Sequence, residues 1–371
     1  MKLILVAGAR PNFMKVAPLI SAIRKHNEGI LQKAIKIEFL LVHTGQHYDI
    51  DMSEVFFRDL GLPKPDINLE VGSASHAVQT ANIMAGFEKV CIGENPDWVV
   101  VVGDVNSTMA CTLVATKLGI KVAHIEAGLR SFDRSMPEEI NRLVTDALAD
   151  LLLTPSPDAD ENLLREGIPQ EKIRRVGNVM IDTLIANLDK ARQLPMAERY
   201  GLNERRYVLV TLHRPSNVDC EKSLTSIMET LSDLSERMDV IFPLHPRTRN
   251  QMVLYDILEK AKQSPRLIIT DPMNYLDTIC LVDKARFVIT DSGGLQEETT
   301  YLKIPCLTVR PNTERPITVT EGSNKLTSLA TIKSDIECIL NGHLRKCKTP
   351  DLWDGNTGKR IISELIQFSM D

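Results

Sequence analysis

The chain has 371 residues, 43% hydrophobic and 25% charged, a mixture that excludes a disordered polymer and a length that favours two hydrophobic cores over one. With 44 Lys+Arg against 49 Asp+Glu the formal net charge is -5, so nothing in the overall balance favours nucleic acid or an anionic membrane, and an anionic ligand has to be held locally. The 7 cysteines are odd in number and scattered singly, with no CxxC pair or zinc-ligand spacing, which suits a reducing cytoplasm better than a disulfide framework.

The first apolar run, Lys2 to Ala7, breaks at once into Arg10-Pro11. A secretory signal needs roughly 15 to 30 residues, so the run reads as a buried first strand. From there short β-rich runs alternate with longer helical patterns, the signature of parallel βα units. One set comprises Lys2 to Ala7, Glu38 to His43, Trp98 to Gly103, Lys121 to Glu126, Leu151 to Thr154 and Arg174 to Gly177. A second comprises Tyr207 to Leu212, Val240 to Leu244, Leu267 to Thr270, Phe287 to Thr290 and Cys306 to Val309.

Between the sets, Asn187 to Arg206 is polar around Leu194-Pro195 and reads as a helix end and linker. The expected architecture is α/β, with a Rossmann-like domain over 1–186, a second over 187–354, and a final helix within 355–371 that crosses back to the first. No apolar stretch reaches the roughly 18 residues of a membrane span, so no membrane insertion is expected. No short internal repeat points to a solenoid.

In doubly wound sheets ligands sit beyond the carboxyl ends of the strands, so the residues just past each run carry the candidate chemistry. They are Gly8-Ala9-Arg10, His43-Thr44-Gly45-Gln46, Gly103-Asp104, Glu126-Ala127-Gly128, Leu212-His213-Arg214, His245-Pro246-Arg247 and Asp291-Ser292-Gly293-Gly294. Candidates in both sets favour a central cleft with the domains facing each other.

Asp291 to Glu298 follows a strand and opens a helix, where Gly293 and Gly294 admit a close ligand and free N-H groups can hold phosphate. An ordinary capped helix with Ser292 as the cap explains the same pattern. Arg10 and Lys15, in the loop Gly8 to Lys15, are cations suited to a diphosphate, with solvated surface charge as the alternative. Asp104 and Glu126 each end an apolar strand, where a carboxylate loses solvation and needs a partner. Glu138 and Glu139 follow Pro137, an ordinary helix start. Converging carboxylates suit proton transfer. His213 and His245 are placed for acid-base work or phosphate donation, or for a purely structural bond. No His/Asp/Glu spacing matches a metal motif, and no metal is expected.

Taken together these loops resemble the non-hydrolysing UDP-N-acetylglucosamine 2-epimerase family. The resemblance rests on GARPNFMK at Gly8 to Lys15, HTGQH at His43 to His47, GDVNST at Gly103 to Thr108, HIEAGLRS at His124 to Ser131, MPEEINR at Met136 to Arg142, TLHRPSN at Thr211 to Asn217, DSGGLQEE at Asp291 to Glu298 and TERP at Thr313 to Pro316. Their order and spacing extend over nearly the whole chain.

The resemblance implies a two-domain fold of the glycosyltransferase-B type and interconversion of UDP-GlcNAc and UDP-ManNAc, without a cofactor, by a cytoplasmic homodimer. It implies that Arg10, Lys15, His213, Ser292, Gly293 and Gly294 surround the UDP, that Glu298 meets the ribose, and that Arg315 is a further phosphate contact. Asp104, Glu126 and Glu138 are the implied acid-base groups, and His213 is counted with them among the catalytic residues.

The sequence also departs from the common bacterial pattern. Asp49 stands where a glutamine is usual, Asp66 to Gly72 holds no arginine, and Pro215 replaces a second arginine after His213. These departures fall on residues that hold an activating second UDP-GlcNAc in many bacterial members, not on the acid-base set. A hydrolysing epimerase, a retaining glycosyltransferase and a silent nucleotide-sugar sensor are the competing readings. The last would need Arg10 and Ser292 but has no use for Asp104 or Glu126.

Overall fold

A computed structural model describes residues 1–29, 35–45, 57, 61–343 and 345–370. Gln46, His47 and Asp49, singled out from the sequence, lie outside the described residues. All eleven expected apolar runs form strands, with ends shifted by a few residues. Their contact pattern divides the chain into two units, Met1–Thr183 with Asp351–Asp371, and Leu184–Pro350.

The first unit carries β1 (Lys2–Ala7), β2 (Glu38–His43), β3 (Ile67–Asn68), β4 (Trp98–Val102), β5 (Lys121–Ile125), β6 (Leu151–Thr154) and β7 (Ile173–Arg175). They form one parallel sheet in the order β3-β2-β1-β4-β5-β6-β7. The central strands are covered by helices on both faces, and for that reason Val99 to Val102 is an unbroken apolar run instead of an alternating one. Strand order reverses at β1 and β4, in register from Leu3 opposite Trp98 to Leu5 opposite Val100. A crevice at such a reversal is where open α/β sheets place ligands.

The second unit repeats the plan with β8 (Tyr207–Thr211), β9 (Asp239–Pro243), β10 (Leu267–Thr270), β11 (Phe287–Thr290), β12 (Cys306–Val309) and β13 (Asn324–Thr327). Its parallel order is β10-β9-β8-β11-β12-β13, with the reversal at β8 and β11. There Thr211 lies opposite Thr290 and their hydroxyls meet at 2.7 Å.

Two strands were not expected from the sequence, and each has a reason to be silent there. β3 is two residues long. β13 reads Asn-Lys-Leu-Thr, with no apolar run, and is held by polar bonds: the Asn324 amide donates to Gln296 Oε1 at 3.0 Å, and Thr308 donates to its carbonyl oxygen at 2.6 Å.

The change of unit falls inside the helix Val179–Arg192, so Asn187 to Arg206 lies wholly in the second unit. The last helix, Thr357–Met370, packs on the first. Asp182 caps it by accepting from Thr357 N at 3.1 Å and Gly358 N at 2.8 Å, and a Cβ on Gly358 would lie 2.7 Å from Pro18 O. At its far end Trp98 Nε1 donates to Ser369 Oγ at 2.8 Å. Among the described residues no helix is long and apolar enough to cross a membrane.

Candidate functional site

In the first unit the loop after β1 is shaped by Asn12. Its Oδ1 accepts from Gly8 N at 3.2 Å and Ala9 N at 2.9 Å, while its amide donates to Val102 O at 3.1 Å, tying the loop to the end of β4. A Cβ on Gly8 would collide with Ser107 Oγ, itself bonded to Thr44 at 2.7 Å. Arg10 therefore opens its helix from a fixed position, half-buried, at the crevice where strand order reverses.

Lys15, read from the sequence as a phosphate cation, is buried and forms an ion pair with Glu126 Oε2. Glu126 follows β5 directly with φ 68°, a left-handed conformation that costs a side-chain-bearing residue about 1–3 kcal/mol and concentrates at functional sites. Its Oε1 is buried with no hydrogen-bond partner among the described residues.

Beneath the pair, His124 is fully buried, with Nδ1 2.6 Å from Asp146 Oδ1 and Nε2 2.8 Å from Gly103 O. Asp146 also accepts from Gly128 N at 3.0 Å and pairs with Arg130 at 2.7 Å. Burial opposes its charge, but His124 and Arg130 outweigh that and hold its carboxyl below the usual range. This network joins the ends of β4 and β5 to the helix Pro137–Leu148.

Asp104, just past β4, pairs with the buried guanidinium of Arg142, and its backbone carbonyl accepts from Asn141 at 2.8 Å. Arg142 also meets Glu139 Oε2 at 2.6 Å. Glu139 accepts from Ser131 N and Oγ at 2.9 and 2.8 Å and from Phe132 N at 3.0 Å. Burial works against the Glu139 charge, and Arg142 with Ser131 overcomes it, leaving the carboxyl below its ordinary value. Of the two acids after Pro137, then, Glu139 is the buried clamp and Glu138 is exposed. The structure joins Asp104 and Glu126 through one scaffold and leaves Glu138 at its rim.

In the second unit the carboxylate of Asp291, fully buried after β11, gathers the loop after β8. It accepts from His213 N at 3.0 Å, Arg214 N at 2.9 Å and Asn217 Nδ2 at 3.0 Å, and faces His213 Nδ1 at 2.9 Å. Burial raises its carboxyl, but His213 and these donors prevail and keep it ionised. His213 is thus turned by Asp291, and His245 lies nearby with ring centroids 5.4 Å apart. His245 also accepts from Arg247 N at 3.2 Å as a helix cap; burial and then the His213 charge lower its pKa.

Ser292 precedes the helix Gly293–Leu302, and its side chain makes no cap bond to it. A Cβ on Gly293 would approach Arg315 Nη1 to 2.8 Å and Glu314 Oε1 to 2.9 Å, whereas one on Gly294 would meet nothing within 4 Å. The helix start is thus crowded at Gly293 and open at Gly294, and N-H groups free at a helix start are able to hold an anion. Arg315 is tied to Glu314 and, at 2.8 Å, to Glu297, so this cation is oriented by two buried acids. Glu298 is buried, and its Oε1 has no hydrogen-bond partner among the described residues. Burial pushes its carboxyl up to about 8; Tyr275 offsets part of the rise and Glu297 adds to it.

Asn12, His124, Arg130, Glu139, Arg142, Asp146 and Asn217 escaped the sequence reading as functional groups. The signal open to it was a polar residue inside an apolar run, as at His124 in Lys121 to Ile125, since a buried polar group requires a partner. Among the described residues no group of three or more His, Cys, Asp or Glu is placed to hold a metal ion.

A family model described as UDP-N-acetylglucosamine 2-epimerase matches residues 30–366. The chain is 42% identical over 372 residues to a UDP-N-acetylglucosamine 2-epimerase of Methanocaldococcus jannaschii, covering 98% of this chain and 99% of that protein. It is 40% identical over 334 residues, 89% of each chain, to the UDP-2,3-diacetamido-2,3-dideoxy-D-glucuronate 2-epimerase of Pseudomonas aeruginosa. The crystal structure of Methanocaldococcus jannaschii UDP-GlcNAc 2-epimerase in complex with UDP-GlcNAc and UDP matches with a TM-score of 0.88 at 41% identity, over 99% of this chain and 100% of that one. With the family model matching residues 30–366 and a relative 42% identical over nearly the whole of both chains, the chain belongs to the UDP-N-acetylglucosamine 2-epimerase family.

Proposed function

We propose that the protein is a non-hydrolysing UDP-GlcNAc 2-epimerase, interconverting UDP-GlcNAc and UDP-ManNAc. A sugar C2-H has no adjacent carbonyl to acidify it, so direct abstraction at neutral pH is prohibitively slow. Departure of UDP gives C1 oxocarbenium character and acidifies C2. Proton loss then yields 2-acetamidoglucal, and re-addition of UDP with protonation of the other face inverts the centre. The route is redox-neutral.

The observation that carries this reading is the pair of carboxylates at the ends of β4 and β5, Asp104 and Glu126, each held by its own buried cation. A protein that only bound the nucleotide would have no use for them. In this assignment Asp104, Glu126 and Glu138 exchange the protons, and Arg10, His213, Ser292, Gly293, Gly294 and Arg315 stabilise the diphosphate as charge develops on it. The family pattern adds Lys15 to the diphosphate group. Glu298 receives the ribose hydroxyls, for which an oxygen with no hydrogen-bond partner among the described residues is suited. The protein is taken to act as a cytoplasmic homodimer that supplies UDP-ManNAc for polysaccharide synthesis.

The test is to incubate the protein with UDP-GlcNAc in D2O, without NAD or metal, and follow the products by NMR. A mixture of both sugar nucleotides with deuterium at C2 is expected. Free ManNAc plus UDP would move the protein to the hydrolysing class, and unlabelled C2 after many turnovers would rule out elimination. The relative that acts on UDP-2,3-diacetamido-2,3-dideoxy-D-glucuronate supplies a second substrate to run in parallel. Turnover of that compound alone would keep the chemistry and change the sugar.

A further inference from the structure

Lys15 and Arg10 begin the same helix but occupy different surroundings. Lys15 is 9% exposed, and its ammonium is in contact with Glu126 Oε2. The backbone around the pair is shaped to admit it. Gly103 has φ 70°, and a Cβ there would sit 3.0 Å from Lys15 Nζ and 3.6 Å from Glu126 Oε2. Its carbonyl is fixed by His124 at 2.8 Å, so the strand end cannot drift into the space. Glu126 takes its left-handed conformation to aim inward, and Oε1, its second oxygen, is buried with no hydrogen-bond partner among the described residues. One oxygen is therefore committed to a cation, and the other is left without a partner among the described residues.

We infer that Lys15 is the dedicated counter-ion of Glu126, a positioning residue for proton transfer and not a ligand of the diphosphate, and that Glu126 Oε1 is the atom that takes up the C2 proton. This rests on the epimerase reading. In the step the C2-H bond breaks and its proton goes to Oε1, while its electron pair forms the C1-C2 double bond. The C1-O bond has broken ahead of it, its pair leaving with UDP. The return step reverses each bond, with the proton delivered to the opposite face by another acid. A buried carboxylate needs a partner for its charge. The ammonium in contact with Oε2 supplies one and fixes which oxygen points away from it.

The test compares Lys15→Met, Glu126→Gln and the double variant by UDP affinity in calorimetry and by deuterium entry at C2 under saturating substrate. Lys15→Met should leave UDP affinity within about twofold and KM little changed while slowing deuterium entry by ~10²-fold, the scale of lost acid-base catalysis. The double variant should be no slower than Glu126→Gln, because the cation then has no carboxylate to serve. It should also melt above Lys15→Met, since removing both charges leaves none buried alone. A diphosphate ligand predicts the reverse: UDP affinity reduced about tenfold or more by loss of a charged contact, and rate losses that multiply in the double variant. Either result overturns the inference. Should Lys15→Met fail to fold, UDP affinity of the double variant against Glu126→Gln decides alone. If the parent puts no deuterium into C2, the epimerase reading fails, while the affinity and melting comparisons still report whether Lys15 serves Glu126 or phosphate.

Discussion

The two units end their central strands alike and use their charges differently. In the first, the acids past β4 and β5 are already matched inside the protein, Asp104 by Arg142 and Glu126 by Lys15, on a backbone strained at Glu126 and Phe132. In the second, Asp291 is given over to orienting His213 and Arg214, and the groups proposed to meet the nucleotide are less committed: the start of the helix Gly293–Leu302, the space over Gly294 and a Glu298 oxygen with no hydrogen-bond partner among the described residues. A region with fixed, paired charges is suited to moving a proton without rearrangement, because preorganised groups need no reorientation during the reaction. A region with unfilled donors and space is suited to receiving an anion and a nucleoside. In the proposed function, the same fold serves chemistry at one reversal of strand order and binding at the other.

The sharpest break of that comparison lies in the acids. Glu126→Gln and Asp104→Asn should each slow deuterium entry at C2 by roughly 10²-fold or more while leaving UDP affinity nearly unchanged. Near-normal entry in both would leave the reaction standing and show that other acids carry it.

The next effect is on stability and belongs to Glu298. Its carboxyl is raised from 4.5 to about 8 in the folded chain. Between those values the folded protein keeps a proton that the unfolded chain has lost, so its stability is full below pH 4.5 and declines as pH rises to about 8. Glu298→Gln, neutral throughout, should flatten this part of the melting curve against pH. The difference should be on the order of a few kcal/mol at the alkaline end. Parallel curves for parent and variant would show that Glu298 ionises normally.

Smaller losses should follow in nucleotide binding. Arg10→Ala and Ser292→Ala should weaken UDP by about 1.5–3 kcal/mol each, the worth of a hydrogen bond to a charged group. Calorimetry with both variants folded and affinity unchanged would remove these loops from the binding site.

The smallest effects distinguish the adjacent glycines. Gly293→Ala should cost about 1–3 kcal/mol in thermal unfolding by crowding Arg315 and Glu314, which their ion pairs hold in place. Gly294→Ala opens onto free space and should leave stability unchanged or slightly higher, since alanine is the better helix former by about 0.5–1 kcal/mol. If it nevertheless abolishes UDP binding, the space is where the ligand sits.

Much of the fold was legible because a strand covered on both faces must be apolar along its length, as Trp98 to Val102 is. Where polar contacts hold a strand instead, as in β13, the run gave no sign of it. The site was legible as loop chemistry and illegible as pairing. Lys15 and Glu126 lie 111 residues apart, and no local pattern connects them. Glu138 and Glu139 are neighbours with the same side chain, and only the turn at Ser131 and Phe132 makes the second one the clamp.

By itself the sequence determined which apolar runs become strands, which loops carry acids and cations, and where glycine opens a helix start, because these follow from local burial and backbone freedom. Only the tertiary structure decided which cation holds which acid, that Glu139 and not Glu138 is buried, and that Glu298 keeps its proton toward pH 8. A charge is set by the solvent it has lost and the partners it has gained, and both come from strand order bringing distant segments together.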